Sequence, residues 1–327
     1  MIRFLLLVCC CWLPYAAHSQ YRVVATASIF ADMAEQISGG TVEVLSVVPL
    51  GGDPHTYDPT PGDMQLLRSA DLILRNGLTF EGWLDRLIQN SGSTARIITI
   101  TEGIEPIRSE RYNNATDPHA WMDVLHGLRY IENIKNALVQ LDPDNQQQYE
   151  FNYGVYRQQL EDLHTEIQVL IDSIPEKQRI LITSHDAFQY FGQRYGIRLE
   201  AVLGTSTDAD VQTSDIARLT RILQKEQVPA IFIESTINPR LLQQLARDNK
   251  VRIGGELYSD SLGPRGSPAS TYYDMLRHNA RTISRALRST EAAEDVSKQG
   301  NGLWLWLGLG ALLFSGLGLV LWRGLSN

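Results

Sequence analysis

Between Pro143 and Pro175 the apolar residues fall at Tyr149, Tyr153, Tyr156, Leu160, Leu163, Ile167, Leu170 and Ile174. Steps of three and four over that length predict one long helix, roughly 45 Å at 1.5 Å per residue, with Pro175 stopping it. A rigid element of this size in the middle of a chain holds its amino-terminal and carboxyl-terminal portions apart, and so predicts two lobes joined by a strut. A coiled-coil segment is the poorer reading, because there is one such run and its seam holds tyrosines.

Each flank of the strut alternates strand with helix. On the amino-terminal side, strands are predicted at 21–26, 42–48, 71–75 and 96–100. Helices fall between and after them: one with Ile29, Met33 and Ile37 on a single face, closed by Gly39 and Gly40, then 63–69, 81–89 and 121–141. The stretch 101–116 is polar and irregular. On the carboxyl-terminal side, strands are predicted at 179–183, 199–202, 230–234 and 252–257, with helices at 213–226, 239–248 and 269–288. Residues 180–191 echo residues 23–34, each a strand, a Thr/Ser turn and then a helix. This alternation predicts an α/β fold of two lobes, each a mainly parallel sheet flanked by helices. The expected division is an amino-terminal lobe over 20–141, a linking helix over 142–175 and a second lobe over 176–289.

The two ends of the chain differ from its body. Cys9, Cys10 and Cys11 are the chain's three cysteines, and all lie in 1–19. That stretch has Arg3, an apolar run over 4–13 and a small-residue exit at Ala17, His18 and Ser19, which is the pattern of a secretory signal peptide. A lipid-modified cysteine is the rival reading. After cleavage no cysteine remains, so a metal site in the mature chain must use nitrogen and oxygen. At the other end, residues 303–322 are uncharged and apolar, about 20 residues, enough to cross a bilayer as a helix. Trp304, Trp306 and Trp322 lie at its two ends and Arg323 comes next. The expectation is a domain outside the cytoplasm, a polar linker over 290–302 and a transmembrane anchor over 303–322. The formal net charge is -8 with no basic run in the body, which argues against a nucleic-acid partner.

The tripeptide Asp-Pro-His occurs twice, at Asp53-Pro54-His55 and at Asp117-Pro118-His119. Proline fixes its own φ and extends the residue before it, so each histidine stands on a stiff approach. His185 lies just past the predicted strand 179–183, and Asp260 just past 252–257. Taken singly, each has a plainer reading: Pro-rich turns are common, a histidine there is more often a capping or packing residue, and an aspartate is usually a turn former. Together His55, His119, His185 and Asp260 each lie past a strand or at a helix entrance, two from each lobe, where open parallel sheets present their crevices. Three imidazoles and one carboxylate make a plausible cage for zinc and a tolerable one for manganese. His126 and His164 fall inside helices and His278 on a polar helix face, so they are poorer candidates.

Four stretches carry a family resemblance: GGDPHTYDPTPGD at 51–63, DPHAWMD at 117–123, TSHDAFQYF at 183–191 and YSDSLG at 258–263. In order, and across about 21–287, they resemble the motifs of the zinc- and manganese-binding solute receptors of ABC importers, the cluster A-I type. The resemblance implies two α/β lobes bridged by a long helix, with a metal buried between them on His55, His119, His185 and Asp260. It implies a binding protein, not an enzyme, that delivers Zn²⁺ or Mn²⁺ to a permease in the same membrane and works as a monomer. Three departures bear on this. Zinc receptors of the family often carry a histidine-rich loop between the first two motifs, and 101–116 has no histidine. Manganese receptors often have glutamate at the third motif, where this chain has His185, and the added nitrogen tips the balance to zinc. Family members are usually free or held by an amino-terminal lipid, whereas this chain is expected to end in a membrane span.

Two rival functions compete with the carrier. A metal-dependent hydrolase needs an open coordination position and a base, for which Glu234 is the obvious candidate. A metal-dependent adhesin needs an ion that holds the fold together. For a carrier, occupancy should fall as pH drops through roughly 6.5, because imidazoles bind metal only when deprotonated.

Overall fold

The computed structural model describes residues 20–109, 114–208 and 211–288. The expected signal peptide over 1–19, the linker over 290–302 and the membrane span over 303–322 lie outside the described residues. Within those residues no helix is long and apolar enough to cross a membrane.

The amino-terminal lobe has the predicted alternation: β1 (Arg22–Ala25), α1 (Ser28–Ser38), β2 (Glu43–Ser46), α2 (Pro61–Arg68), β3 (Leu72–Arg75), α3 (Leu84–Ser91) and β4 (Arg96–Thr99). Its four strands are parallel, in the order β2-β1-β3-β4. The residues account for that order. Val23, Val24 and Ala25, like Leu72, Ile73 and Leu74, are uninterrupted apolar runs, and they are buried on both faces as the two central strands. β2 and β4 mix polar with apolar residues and take the edges. α1 buries Ile29, Met33 and Ile37 and stops at Gly39, whose φ of 60° is the left-handed conformation that glycine adopts without strain.

The stretch expected to be irregular holds a two-residue antiparallel ladder, β5 (Arg108–Ser109) with β6 (Ala115–Thr116). Strands this short leave no periodicity to read. The chain continues through a 3₁₀ turn (Ala120–Met122), α4 (Val124–Leu141) and α5 (Gln146–Asp172). The second lobe comprises β7 (Ile180–Thr183), α6 (Gln189–Tyr195), β8 (Arg198–Ala201), α7 (Thr213–Glu226), β9 (Ala230–Glu234), α8 (Arg240–Asn249), β10 (Arg252–Leu257) and α9 (Tyr272–Arg288). Here the parallel ladders are β7 with β8 and β9 with β10, and β7 runs beside β9.

α5 is the predicted strut, 27 residues and so about 40 Å long. It ends at Asp172, before Pro175, and Ile174 is buried in the turn beyond it. It does more than bridge. It packs on α1 and α4 of the first lobe and on α6 and α9 of the second, and Leu160, Leu163, Ile167 and Ile171 on its inward face are fully buried. A single apolar core therefore runs from Val23 and Phe30 in the first lobe, through the strut, to Phe188, Phe232 and Ile283 in the second. Polar contacts cross the same boundary. Arg194 Nε and Nη2 grip the Asp123 carboxylate at 2.7 to 3.0 Å, Trp121 Nε1 donates to the Ser259 carbonyl at 2.9 Å, and the Tyr272 hydroxyl donates to the Trp121 carbonyl at 2.6 Å.

A continuous core makes the lobes one cooperative unit. Ile167→Ala is expected to cost about 2 to 5 kcal/mol, the range for removing a buried aliphatic side chain. Calorimetry should still show one unfolding transition for the metal-free protein, and two separate transitions would contradict a shared core.

Candidate metal centre

The segments that follow β2 and β6 in one lobe, and β7 and β10 in the other, meet in a common space. Into it the structure brings all four predicted residues, each offering one ligand atom, and those atoms lie within 4.8 Å of one another. His119, His185 and Asp260 are fully buried and His55 is partly buried.

The repeated tripeptide is one turn built twice. Asp53 Oδ1 accepts the His55 backbone N–H at 2.9 Å, and Asp117 Oδ1 accepts that of His119 at 2.9 Å. This is an Asx turn, in which the aspartate holds the amide two residues on and the proline between stiffens the bend. In both, the proline carbonyl is also held by a side chain: Trp83 Nε1 donates to Pro54 O at 2.9 Å, and Asn76 Nδ2 to Pro118 O at 3.0 Å. Asp117 does one thing more. Its Oδ1 lies 2.8 Å from His119 Nδ1, which fixes the proton there and leaves Nε2 free to face the site. Beyond His55, Asp63 Oδ2 accepts from Tyr57, from the Thr60 hydroxyl and from the Thr60 amide, anchoring the loop to α2.

His185 is set by Glu234, the last residue of β9. Glu234 Oε1 accepts the His185 amide at 2.8 Å, and Oε2 lies 2.8 Å from His185 Nδ1. The carboxylate that the sequence offered as a hydrolase base is thus occupied in orienting a ligand. Asp260 lies beyond β10, fully buried, and the nearest donors to its two oxygens are the Nε2 atoms of His119 and His185. A carboxylate so withdrawn from water needs a cation, whether a metal or protonated rings beside it.

The donor separations fit one. His55 and His119 Nε2 are 3.2 Å apart, and His119 and His185 Nε2 are 3.3 Å apart. Asp260 Oδ1 is 3.3 Å from His119 Nε2, and Oδ2 is 3.2 Å from His185 Nε2. Ligands about 2.0 to 2.1 Å from a tetrahedral ion stand about 3.3 to 3.4 Å apart, so these separations, with ligand atoms of all four residues within 4.8 Å of one another, are short enough for one ion to be shared. Phe80 and Trp121 wall the site, Phe80 edge-on to His55 at 5.1 Å and Trp121 edge-on to His119 at 5.1 Å. The other histidines do other work: His126 packs on Tyr190, His164 meets the Tyr195 hydroxyl and His278 reaches the Glu256 carbonyl.

Protonation divides the ligands. Burial alone would push the His119 imidazole down, but hydrogen bonds to Asp117 and Asp260 and their charges outweigh it and lift it to about 9. Burial likewise works against the His185 cation, and the Glu234 and Asp260 charges carry it well above its ordinary value. Asp260, which burial would raise, is held well below the usual carboxylate range by the His185 charge and by both histidines' hydrogen bonds. His55 has no such partner close by, and burial takes it down to about 4 against the weaker pull of Asp260.

Sequence reasoning missed Glu234, Asn76 and Trp83 in these supporting roles, because nothing local distinguishes a residue that serves a histidine or a carbonyl on a distant loop. Asp53 and Asp117 were visible, since they are part of the repeated tripeptide.

The sequence profile of the family described as "Zinc-uptake complex component A periplasmic", ZnuA, matches residues 23–286. The manganese-binding lipoprotein MntA of Halalkalibacterium halodurans is 35% identical over 266 residues, covering 81% of this chain and 88% of the relative. Among solved structures, the periplasmic zinc binding protein TroA from Treponema pallidum is similar with a TM-score of 0.78 and 33% identity, over 82% of this chain and 99% of that one. A Mn-bound periplasmic metal binding protein from Candidatus Liberibacter asiaticus, carrying an S38A substitution in its own numbering, is similar with a TM-score of 0.76 and 32% identity, over 82% and 100%. With a match across nearly the whole described body and two lobes of the same architecture, this chain belongs to the ZnuA family of metal-binding substrate receptors of ABC importers.

Proposed function

We propose that the chain is an extracytoplasmic receptor that captures one divalent transition metal on His55, His119, His185 and Asp260 and hands it to an ABC permease. The observation that carries this is the convergence of three imidazole nitrogens and a fully buried carboxylate, one ligand atom from each lying within 4.8 Å of the others. Three nitrogens and one carboxylate favour zinc, with manganese as the competitor. Four protein donors leave no open position for an activated water, and Glu234 is engaged with His185, so the protein is a carrier and not an enzyme. The adhesin reading required an ion that holds the fold together. Here the shared core and the Arg194, Trp121 and Tyr272 contacts already join the lobes through the chain's own residues.

In this reading residues 20–141 and 176–289 are the two lobes and 142–175 the link. The segment 303–322 anchors a monomer to the membrane that holds its permease, where relatives such as MntA are lipoproteins. Fractionation tests the anchor: the full-length protein is expected in the membrane fraction, released by detergent, and its recovery in the soluble fraction would reject the span.

Elemental analysis of the protein purified without added metal, with zinc and manganese in competition, tests the cargo. His185→Ala is expected to lower zinc affinity by more than about 100-fold, and Glu234→Gln by about 10- to 100-fold, the usual loss when a carboxylate supporting a ligand histidine is removed. Wild-type affinity in the His185 variant would remove that residue from the site.

Metal binding should also release protons. The His119 imidazole is pushed up to about 9 and that of His185 well above its ordinary value, so each ring favours its proton when no metal is bound and must lose it to ligate. Affinity is therefore expected to weaken as pH falls across the whole neutral range, not only through the ordinary imidazole value near 6.5, by up to about tenfold per pH unit for each proton released. Calorimetry in buffers of different ionisation enthalpy measures the count, and binding without proton release would contradict the assignment.

A further inference from the structure

The metal site occupies one end of the second lobe, because His185 and Asp260 follow the carboxyl ends of β7 and β10. The amino ends of the strands therefore make up the opposite end. α9 spans the distance between the two. Its first residue, Tyr272, reaches the Trp121 carbonyl beside the site, whereas the Ala286 carbonyl accepts from Arg252 at the start of β10. Ser284 Oγ donates to the Leu170 carbonyl at 2.9 Å, which brings the end of α5 to the same place. Arg288, where α9 finishes, thus stands at the end remote from the metal, and the sequence continues from there toward 303–322.

That remote end is basic in a chain whose formal net charge is -8. Lys177 lies in the turn before β7, and Arg198 and Arg252 are the first residues of β8 and β10. Lys225 is in the last turn of α7, and Arg285 and Arg288 are in the last turn of α9. All six are exposed. Against them stand Glu176, Asp248 and two acids already paired, Asp172 with Arg179 at 3.4 Å and Glu226 with Arg198 at 3.7 Å. A cation in the last turn of a helix answers the helix dipole, but Arg198 and Arg252 head strands, where no such dipole acts. The corresponding end of the first lobe is mixed: Arg22 and Arg96 share it with Glu35, Glu43 and Asp71, and Arg22 is paired with Glu43 at 2.7 Å. Positive charge is gathered where the chain leaves for the predicted span, not spread over both lobes.

We propose that this end of the second lobe is a docking face for anionic lipid headgroups, on which the domain rests beside its anchor. Each Lys or Arg near a negatively charged surface adds an attraction that fades within a Debye length, and the anchor holds the domain within that range. In that posture the metal site points into the medium from which it collects its cargo. This rests on the anchored-receptor reading above and adds how the domain sits on its membrane.

The test places the full-length protein in nanodiscs of phosphatidylcholine, alone or with phosphatidylglycerol. A fluorophore is carried on a Gln224→Cys variant and a quencher on the lipid headgroups; the natural cysteines all lie in the expected signal peptide. Quenching is expected to be stronger with phosphatidylglycerol at low salt, and the two lipids to converge by about 0.5 M NaCl. Each cation removed should shift the resting equilibrium about fivefold, so the triple variant Lys177→Glu, Lys225→Glu, Arg285→Glu should lose the difference, by more than about 100-fold. Lys177→Arg, Lys225→Arg, Arg285→Lys keeps the charges and should keep the difference. Zinc affinity should equal wild type in both triple variants, which a damaged fold would not allow. Equal quenching on the two lipids at low salt overturns the docking face, as does a difference that survives the charge reversal. A chain that stays out of nanodiscs would overturn the anchor instead. Flotation with vesicles of the same two compositions then tests the face by itself: binding to phosphatidylglycerol at low salt supports it, and no binding overturns it.

Discussion

Three imidazole nitrogens and a carboxylate lie within 4.8 Å of one another in a space almost closed to water. Such a group has two ways to be stable. A cation at its centre satisfies every donor at once, or protons on the histidines neutralise Asp260 in its absence. The structure provides for the second state without abandoning the first. Asp117 and Glu234 sit behind His119 and His185 and favour the protonated rings, and these charges hold Asp260 ionised. The same two carboxylates aim the rings' Nε2 atoms inward, so the groups that steady the empty site are also those that orient the filled one.

Placement of those donors depends on rigidity that the site itself does not supply. Two of the four candidate residues come from each lobe, and an error of an ångström between lobes would spoil a shared site. The shared core removes that freedom. α5 lays one buried face across both lobes, and Trp121 serves both needs: its ring walls His119, and its indole N–H reaches the Ser259 carbonyl, beside Asp260. A ligand-bearing loop in one lobe is thereby tied to a ligand-bearing loop in the other through a single side chain.

How much of this is legible in the sequence depends on the range of each signal. The strut is visible because its period repeats over eight apolar positions, and the parallel strands because strand and helix alternate in blocks longer than any ambiguity. Of the candidate residues, His55 and His119 are visible because Asp-Pro-His is a turn encoded in three adjacent residues, and His185 and Asp260 because each follows a strand. The β5–β6 ladder is not, since two residues a side carry no pattern, and the apolar spacing overruns the end of α5 at Asp172 because Ile174, buried but outside the helix, continues it. Glu234 reads as a potential base because an acid at a strand end says nothing of its partner. Only the fold places it 2.8 Å from a histidine 49 positions away.

A carrier has to hold its cargo and then let it go, and the ligands are not equivalent in what leaving would cost. Detaching Asp260 would strand a carboxylate away from water, and detaching His119 or His185 would break a ring from an ion while its own carboxylate partner stays fixed behind it. His55 is different. Burial disfavours its cation, so it leaves as a neutral imidazole, with no charge to compensate and with solvent within reach. The four candidate residues thus divide by position, with His119, His185 and Asp260 enclosed and His55 completing the set from nearer the surface.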